Sequence, residues 1–189
     1  MPSTREQQRV DSWTALRSAA VELVERHGFA AVTVDDITAA AGVSRRTFFN
    51  HFPTKAAALF DPAAGDAERL TGLLAAADGS AGVWPALRDA LVAFTAGEAA
   101  TLPVRRRLIA EDPVLDAYNR TAHRHVGVAI AAWAARQLAD DPFTAALVAE
   151  TAAAVLITAF LAWEPDEDPA RFPELVACGF DRVGSGFAG

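Results

Sequence analysis

Apolar residues recur every three or four positions from Trp13 through Leu16, Ala20, Leu23 and Val24, the one-sided stripe of a helix packed against a neighbour. This predicts a first helix over 9–27, closed by Gly28. Shorter patterns follow. Thr33 with Asp36 three residues on has the form of a capping box, and Asp35 and Asp36 sit where the positive end of a helix dipole favours carboxylates, so a second helix starts near Val34. It holds only about seven residues before Gly42, the residue type that most readily takes the left-handed conformation closing a helix. Ser44 is the N-cap of a third short helix, with Val43 as a plug before it. Two short helices joined by a turn of about four residues containing glycine make a helix-turn-helix.

Past this motif a helix is expected from Thr54 to about Phe60, broken by Asp61-Pro62, then another over 65–76 and a loop from Asp78 to Gly82. Prolines then mark first helical turns. Trp84-Pro85 opens a helix to about Ala100, with Leu87, Leu91 and Phe94 on one face, and Pro103 opens one to about Glu111. Asp112-Pro113 opens a long one to about Leu138, Asp141-Pro142 opens one to Trp163, and the acidic loop 164–169 leads to a last helix over 170–183. No alternating strand pattern appears. The expected fold is all-α, with about nine or ten helices, a three-helix head over 1–55 and a helical bundle over 56–189.

On the third helix, about 100° per residue sets Phe48 and Phe52 on one side, four apart, to pack inward. Arg46 and Asn50 point the opposite way, with Arg45 beside Phe49 on one flank and Thr47 beside His51 on the other. Arg grips guanine O6 and N7, and Asn grips adenine N6 and N7, so an aromatic inner face with Arg, Arg and Asn outside suits reading a major groove. Lys55 is the only lysine and sits in a first helical turn, where the dipole disfavours a cation. It is either an exposed lysine or, with the free N–H groups there, a phosphate site.

Thr33-Val-Asp-Asp-Ile, then Ala-Gly-Val-Ser at 41–44, then Thr47 through Phe-Pro-Thr-Lys55 resembles the N-terminal DNA-binding domain of the TetR family of bacterial transcriptional regulators, over about residues 9–59. The resemblance implies a DNA-facing set of Thr33, Ser44, Arg45, Arg46, Thr47, Phe49, Asn50, His51 and Lys55. Thr33 and Lys55 would touch phosphates, Arg45, Arg46 and Asn50 would face bases, and Thr47 and His51 would clamp the backbone. Phe49 stands where the family often has a tyrosine, whose phosphate bond is then missing, and Arg46 where a small residue is frequent. It further implies a homodimer through the helices at 142–163 and 170–183, a palindromic double-stranded operator, and a small-molecule effector bound inside the bundle. The helix after Thr54 would connect bundle to head. Trp84, Phe94, Tyr118, His125 and Trp133 are the candidates to line a pocket for an apolar or amphipathic molecule, or are plain core residues. The expected function is a ligand-responsive transcriptional regulator, most simply a repressor released by its effector. The alternative is a helical small-molecule binding protein or enzyme with a vestigial head.

Net charge is −7, which argues against nucleic acid until the chain is divided. Residues 1–60 carry a net +1 and the remainder −8, so an acidic body leaves the head as the docking surface. Arg5 and Arg9, before or opening the first helix, read as a solvated tail or as an arm for the minor groove. His123 and His125, two apart on one helix, diverge by about 200° and cannot share a metal. Neither a Cys pair, a nucleophile elbow nor a phosphate-cradling glycine loop occurs, so neither catalytic group, cofactor nor metal is expected. Arg105, Arg106 and Arg107 read as a solvated face paired with Glu111 and Asp112. Cys178 excludes an internal disulfide and reads as a buried small residue. The chain start lacks the apolar core of a secretory signal, so a cytoplasmic protein is expected. The segment 142–163 is long and apolar enough to span a membrane, but Glu150 at its centre and its threonines argue for a buried interface helix instead.

Overall fold

The computed structural model describes residues 4–77, 82–97 and 101–186. Among these are eleven α-helices and no strand: α1 (Thr4–His27), α2 (Val34–Ala41), α3 (Arg45–His51), α4 (Lys55–Phe60), α5 (Asp66–Ala76), α6 (Val83–Thr95), α7 (Leu102–Glu111), α8 (Pro113–Ala122), α9 (Arg124–Gln137), α10 (Pro142–Ala162) and α11 (Arg171–Gly184). The all-α expectation holds. The loop expected from Asp78 and the helix end expected near Ala100 lie outside the described residues.

The chain forms two compact units, Met1–Asp61 with Arg107–Asn119, and Pro62–Arg106 with Arg120–Gly189. In the first, Leu16, Ala20 and Val24 of α1 are buried together with Val32, Ile37, Phe48, Phe52 and the apolar run of α4. In the second, Leu70, Leu74, Leu87, Leu91, Phe94, Ile130, Trp133, Trp163, Val176 and Phe180 form the core. Its helices α10 and α11 approach so closely that a Cβ on Gly179 would stand 2.7 Å from Val155 Cγ1. Gly179→Ala is therefore expected to lower stability by about 1–3 kcal/mol through overpacking, read as a shift of the urea midpoint. An unchanged midpoint would mean the two helices separate freely.

Five readings are corrected. The helix expected from Pro113 to Leu138 is broken at His123 (φ −97, ψ 8). There the Val126 N–H bonds the carbonyl of His123, three residues back, and the ring Nδ1 of His125 takes the Ala122 carbonyl at 3.2 Å. A side chain thus replaces the helical donor, which no Pro or Gly signalled. The same break brings the His123 and His125 rings to 6.1 Å between centroids instead of sending them apart, although no group of metal ligands exists among the described residues. Arg5 and Arg9 lie within α1 rather than on an arm. Cys178 is exposed, not buried.

The arginine run is the fifth. It is not one solvated face, because its three side chains diverge. Arg105 is only 4% exposed, its guanidinium 5.7 Å over the Phe160 ring. Arg106 donates to the Leu161 carbonyl at 2.8 Å, and Arg107 lies 3.9 Å from Glu25.

Candidate nucleic-acid interface

The local signals around α2 and α3 are realised. Thr33 accepts from the Asp36 N–H while Asp36 accepts from the Thr33 N–H, closing the capping box, and Gly42 ends α2 with φ 66. These bonds hold the Asp36 carboxyl below its ordinary value, the Thr33 hydroxyl first and its N–H second. Ser44 caps α3 by accepting from the Thr47 N–H. Phe48 and Phe52 are 0% and 1% exposed, their rings 5.6 Å apart, and Phe52 meets Trp13 of α1 at 5.9 Å. This aromatic anchor fixes which face of α3 looks outward.

That outward face presents Arg45, Arg46, Phe49 and Asn50, all exposed. Arg46 and Asn50 have no intramolecular partner among the described residues. Arg45 is held at 2.7 Å by Asp35 of α2, its guanidinium 5.5 Å over the Phe49 ring. An exposed pair of this kind contributes about 0–1 kcal/mol, so a guanine or phosphate can take Arg45 from Asp35 at small cost.

Four other members of the set are already engaged. Ser44 and Thr47 share a hydroxyl–hydroxyl bond of 2.9 Å, and the Thr33 hydroxyl donates to Asp36 at 2.7 Å. His51 Nε2 meets the Ser12 hydroxyl at 2.8 Å. The same hydroxyl also donates to the Arg9 carbonyl, so Ser12 links the ring to the backbone of α1. Burial, then the charge of Arg9, draws the His51 pKa down. His51 thus orients α3 from α1.

Lys55 differs most from its sequence reading. Its ammonium donates to the carbonyls of Phe29 and Val32 and lies 4.0 Å over the Phe29 ring. Burial draws its pKa down, and the two carbonyls and the ring face favour the charged form in compensation. The ammonium thus ties α4 to the turn after α1. Ser12 and Asp35, which orient His51 and Arg45, carry no spacing signal, since they pair 39 and 10 residues away in sequence.

The five pocket candidates separate. Tyr118 is corrected: it belongs to the first compact unit, where its hydroxyl donates to Asp61 at 2.8 Å and its ring meets Phe60 at 6.1 Å. Burial, then the Asp61 bond, raises its pKa. Trp84 packs on Phe180, 4.5 Å between rings, and donates to the Phe180 carbonyl. Phe94 is core, capped by the Arg69 guanidinium at 4.3 Å. Trp133 Nε1 and His125 Nε2 are buried without a hydrogen-bond partner among the described residues. None of the five lines the open groove of about 230 Å³ between α9 and α10, which is walled by alanines such as Ala131, Ala135, Ala146 and Ala149.

Comparison with known proteins places both parts of the chain. The family model described as bacterial regulatory proteins, tetR family, matches residues 16–61, and the MftR C-terminal domain model matches residues 81–188. A Mycobacterium tuberculosis protein named as a candidate mycofactocin biosynthesis transcriptional regulator, MftR, is 35% identical over 176 residues, covering 90% of this chain and 88% of that one. Two Thermus thermophilus crystal structures are similar. The regulator PfmR has a TM-score of 0.57 at 20% identity over 89% of this chain and 96% of its own. The repressor FadR, in complex with lauroyl-CoA, has a TM-score of 0.55 at 28% identity over 94% and 95%.

Proposed function

Since the chain belongs to the TetR family of bacterial regulatory proteins, and is a DNA-binding transcriptional regulator, we propose that it acts as a cytoplasmic homodimeric repressor that an amphipathic effector releases from a palindromic operator. The observation that carries the reading is the α3 face: Arg46 and Asn50 stand exposed and unengaged behind a buried Phe48–Phe52 anchor. In the operator complex Arg46 and Asn50 read bases, Arg45 joins them on leaving Asp35, and the Lys55 tie sets the pose of α3. Asn50→Ala is expected to cost about 1–3 kcal/mol of discrimination at one base position per half-site, measured by anisotropy on operators with single-base changes. Uniform weakening across all operator variants would reject the base-reading role.

The effector reading rests on the second unit. Its core is apolar, Arg105 is buried there against Phe160, and Trp133 Nε1 is a buried donor without an acceptor among the described residues. Such an interior suits a molecule with an apolar body and an acidic or carbonyl-bearing end, of which lauroyl-CoA in the FadR complex is one example. The chain itself passes between the units at 61/62, 106/107 and 119/120. Within the first unit, Tyr118, one residue before the last passage, is fastened to Asp61 at the first. The response is a shift between head spacings that fit or miss successive major grooves. The helix α10, though long and apolar enough to span a membrane, serves in this reading as the interface helix.

A further inference from the structure

The face of α1 that packs on the head runs past the last residue it can pack against. At about 100° per residue, Arg5, Arg9, Ser12 and Leu16 fall within about 60° of one another around the helix. Leu16 is 0% exposed in the head core, and Ser12 meets His51, the last residue of α3, at 2.8 Å. One and two turns farther toward the N-terminus, where apolar side chains would continue the packing, this face carries Arg9 and Arg5, and every residue from Thr4 to Asp11 is exposed. The two acids of the segment, Glu6 and Asp11, lie about 100–120° to either side of Arg5, and Asp11 accepts from Gln7 at 2.9 Å. Two arginines thus overhang the C-terminal end of α3, and the charge of Arg9 is felt at His51.

The other cations of the head are spent. Arg17 donates to the carbonyls of Asp61 and Leu59, Arg26 pairs with Glu22, and Arg45 and Lys55 are held as described above. Arg5, Arg9 and Arg46 are exposed and have no partner among the described residues. A helix lying in the major groove brings its ends to the phosphate walls of that groove. Resting on the reading that α3 docks there, we propose that Arg5 and Arg9 form a second DNA contact, a clamp on the phosphodiester backbone beyond the C-terminal end of α3. Residues four apart on a helix have Cβ atoms about 6 Å apart, so the two guanidiniums reach neighbouring phosphates of one strand. The clamp reads charge and not sequence. It also offsets the net charge of −7, since Arg46 alone would bring little of the phosphate neutralisation that drives sequence-independent binding.

The test uses the full chain and two duplexes of equal length, the DNA upstream of the protein's own gene and an unrelated sequence. Arg5→Gln/Arg9→Gln, which keeps helix-forming side chains without their charge, is expected to weaken binding to both duplexes by the same factor. Its plot of log affinity against log salt should be shallower than that of the wild type by about 3–4 for a dimer, from two phosphates per head. Arg5→Lys/Arg9→Lys should restore the wild-type slope, because a phosphate accepts a point charge. The urea midpoint should not move in either variant. An unchanged slope in the glutamine variant would overturn the clamp, and so would a lowered midpoint, which would place the arginines in the fold. A loss confined to the upstream duplex and not restored by lysine would put the guanidiniums against base edges instead. Failure of the wild type to bind either duplex at low salt would reject the docking of α3 itself, and the clamp with it.

Discussion

Lys55→Met is expected to lower the stability of the head by about 2–4 kcal/mol, since an ammonium serving two carbonyls and a ring contributes more than a surface cation. Phe29 and Val32 are the acceptors, and both lie in the turn between α1 and α2. Without the ammonium their carbonyls lose their donor in a half-buried place, and α4 loses its tie to that turn. Affinity should then fall for every DNA sequence, because the pose of α3 is loosened. A lysine that only met phosphate would behave otherwise. Its removal would leave the urea midpoint unchanged and reduce the salt slope by about one. Urea unfolding read with a salt titration of DNA binding separates the two, and an unchanged midpoint would refute the structural role.

Phe49→Tyr is expected to strengthen binding to all DNA sequences, by about 10- to 100-fold for a dimer, from one charge-assisted hydrogen bond per half-site. The ring is 47% exposed on the outer face of α3, stacked under the Arg45 guanidinium at 5.5 Å and edge-on to Phe48 at 5.4 Å. Adding a hydroxyl at its rim leaves the buried contact with Phe48 intact, so stability should not change. The gain belongs to phosphate contact and should appear equally on operator and on unrelated DNA. A gain confined to the operator would instead place residue 49 against a base.

The helix-turn-helix was legible because its determinants are local. Thr33, Gly42 and Ser44 act within three or four residues of themselves, and the Phe48–Phe52 spacing marks an inner face without reference to the rest of the chain. What the sequence hid were contacts across long separations. Tyr118 looked like a pocket aromatic because its helix follows the bundle's first helices, yet Asp61, 57 residues earlier, accepts its hydroxyl hydrogen bond. His51 and Lys55 have the types and places of phosphate contacts, and only Ser12, Phe29 and Val32 reveal that their polar atoms are taken. The break at His123 follows from a ring satisfying a carbonyl, which leaves no trace in periodicity. Exposure of Cys178 likewise depends on how α11 is turned, with Phe172, Val176 and Phe180 inward.

The central claim is that α3 docks this protein on specific DNA through Arg46 and Asn50. Its most direct test is retardation of the DNA upstream of the protein's own gene at low salt, comparing the wild type with Arg46→Ala/Asn50→Ala. The account predicts a discrete retarded band for the wild type that unlabelled random DNA does not compete away, and only weak, non-specific retardation for the double variant. Absence of a wild-type band at low salt, or equal sequence preference in both proteins, would contradict it.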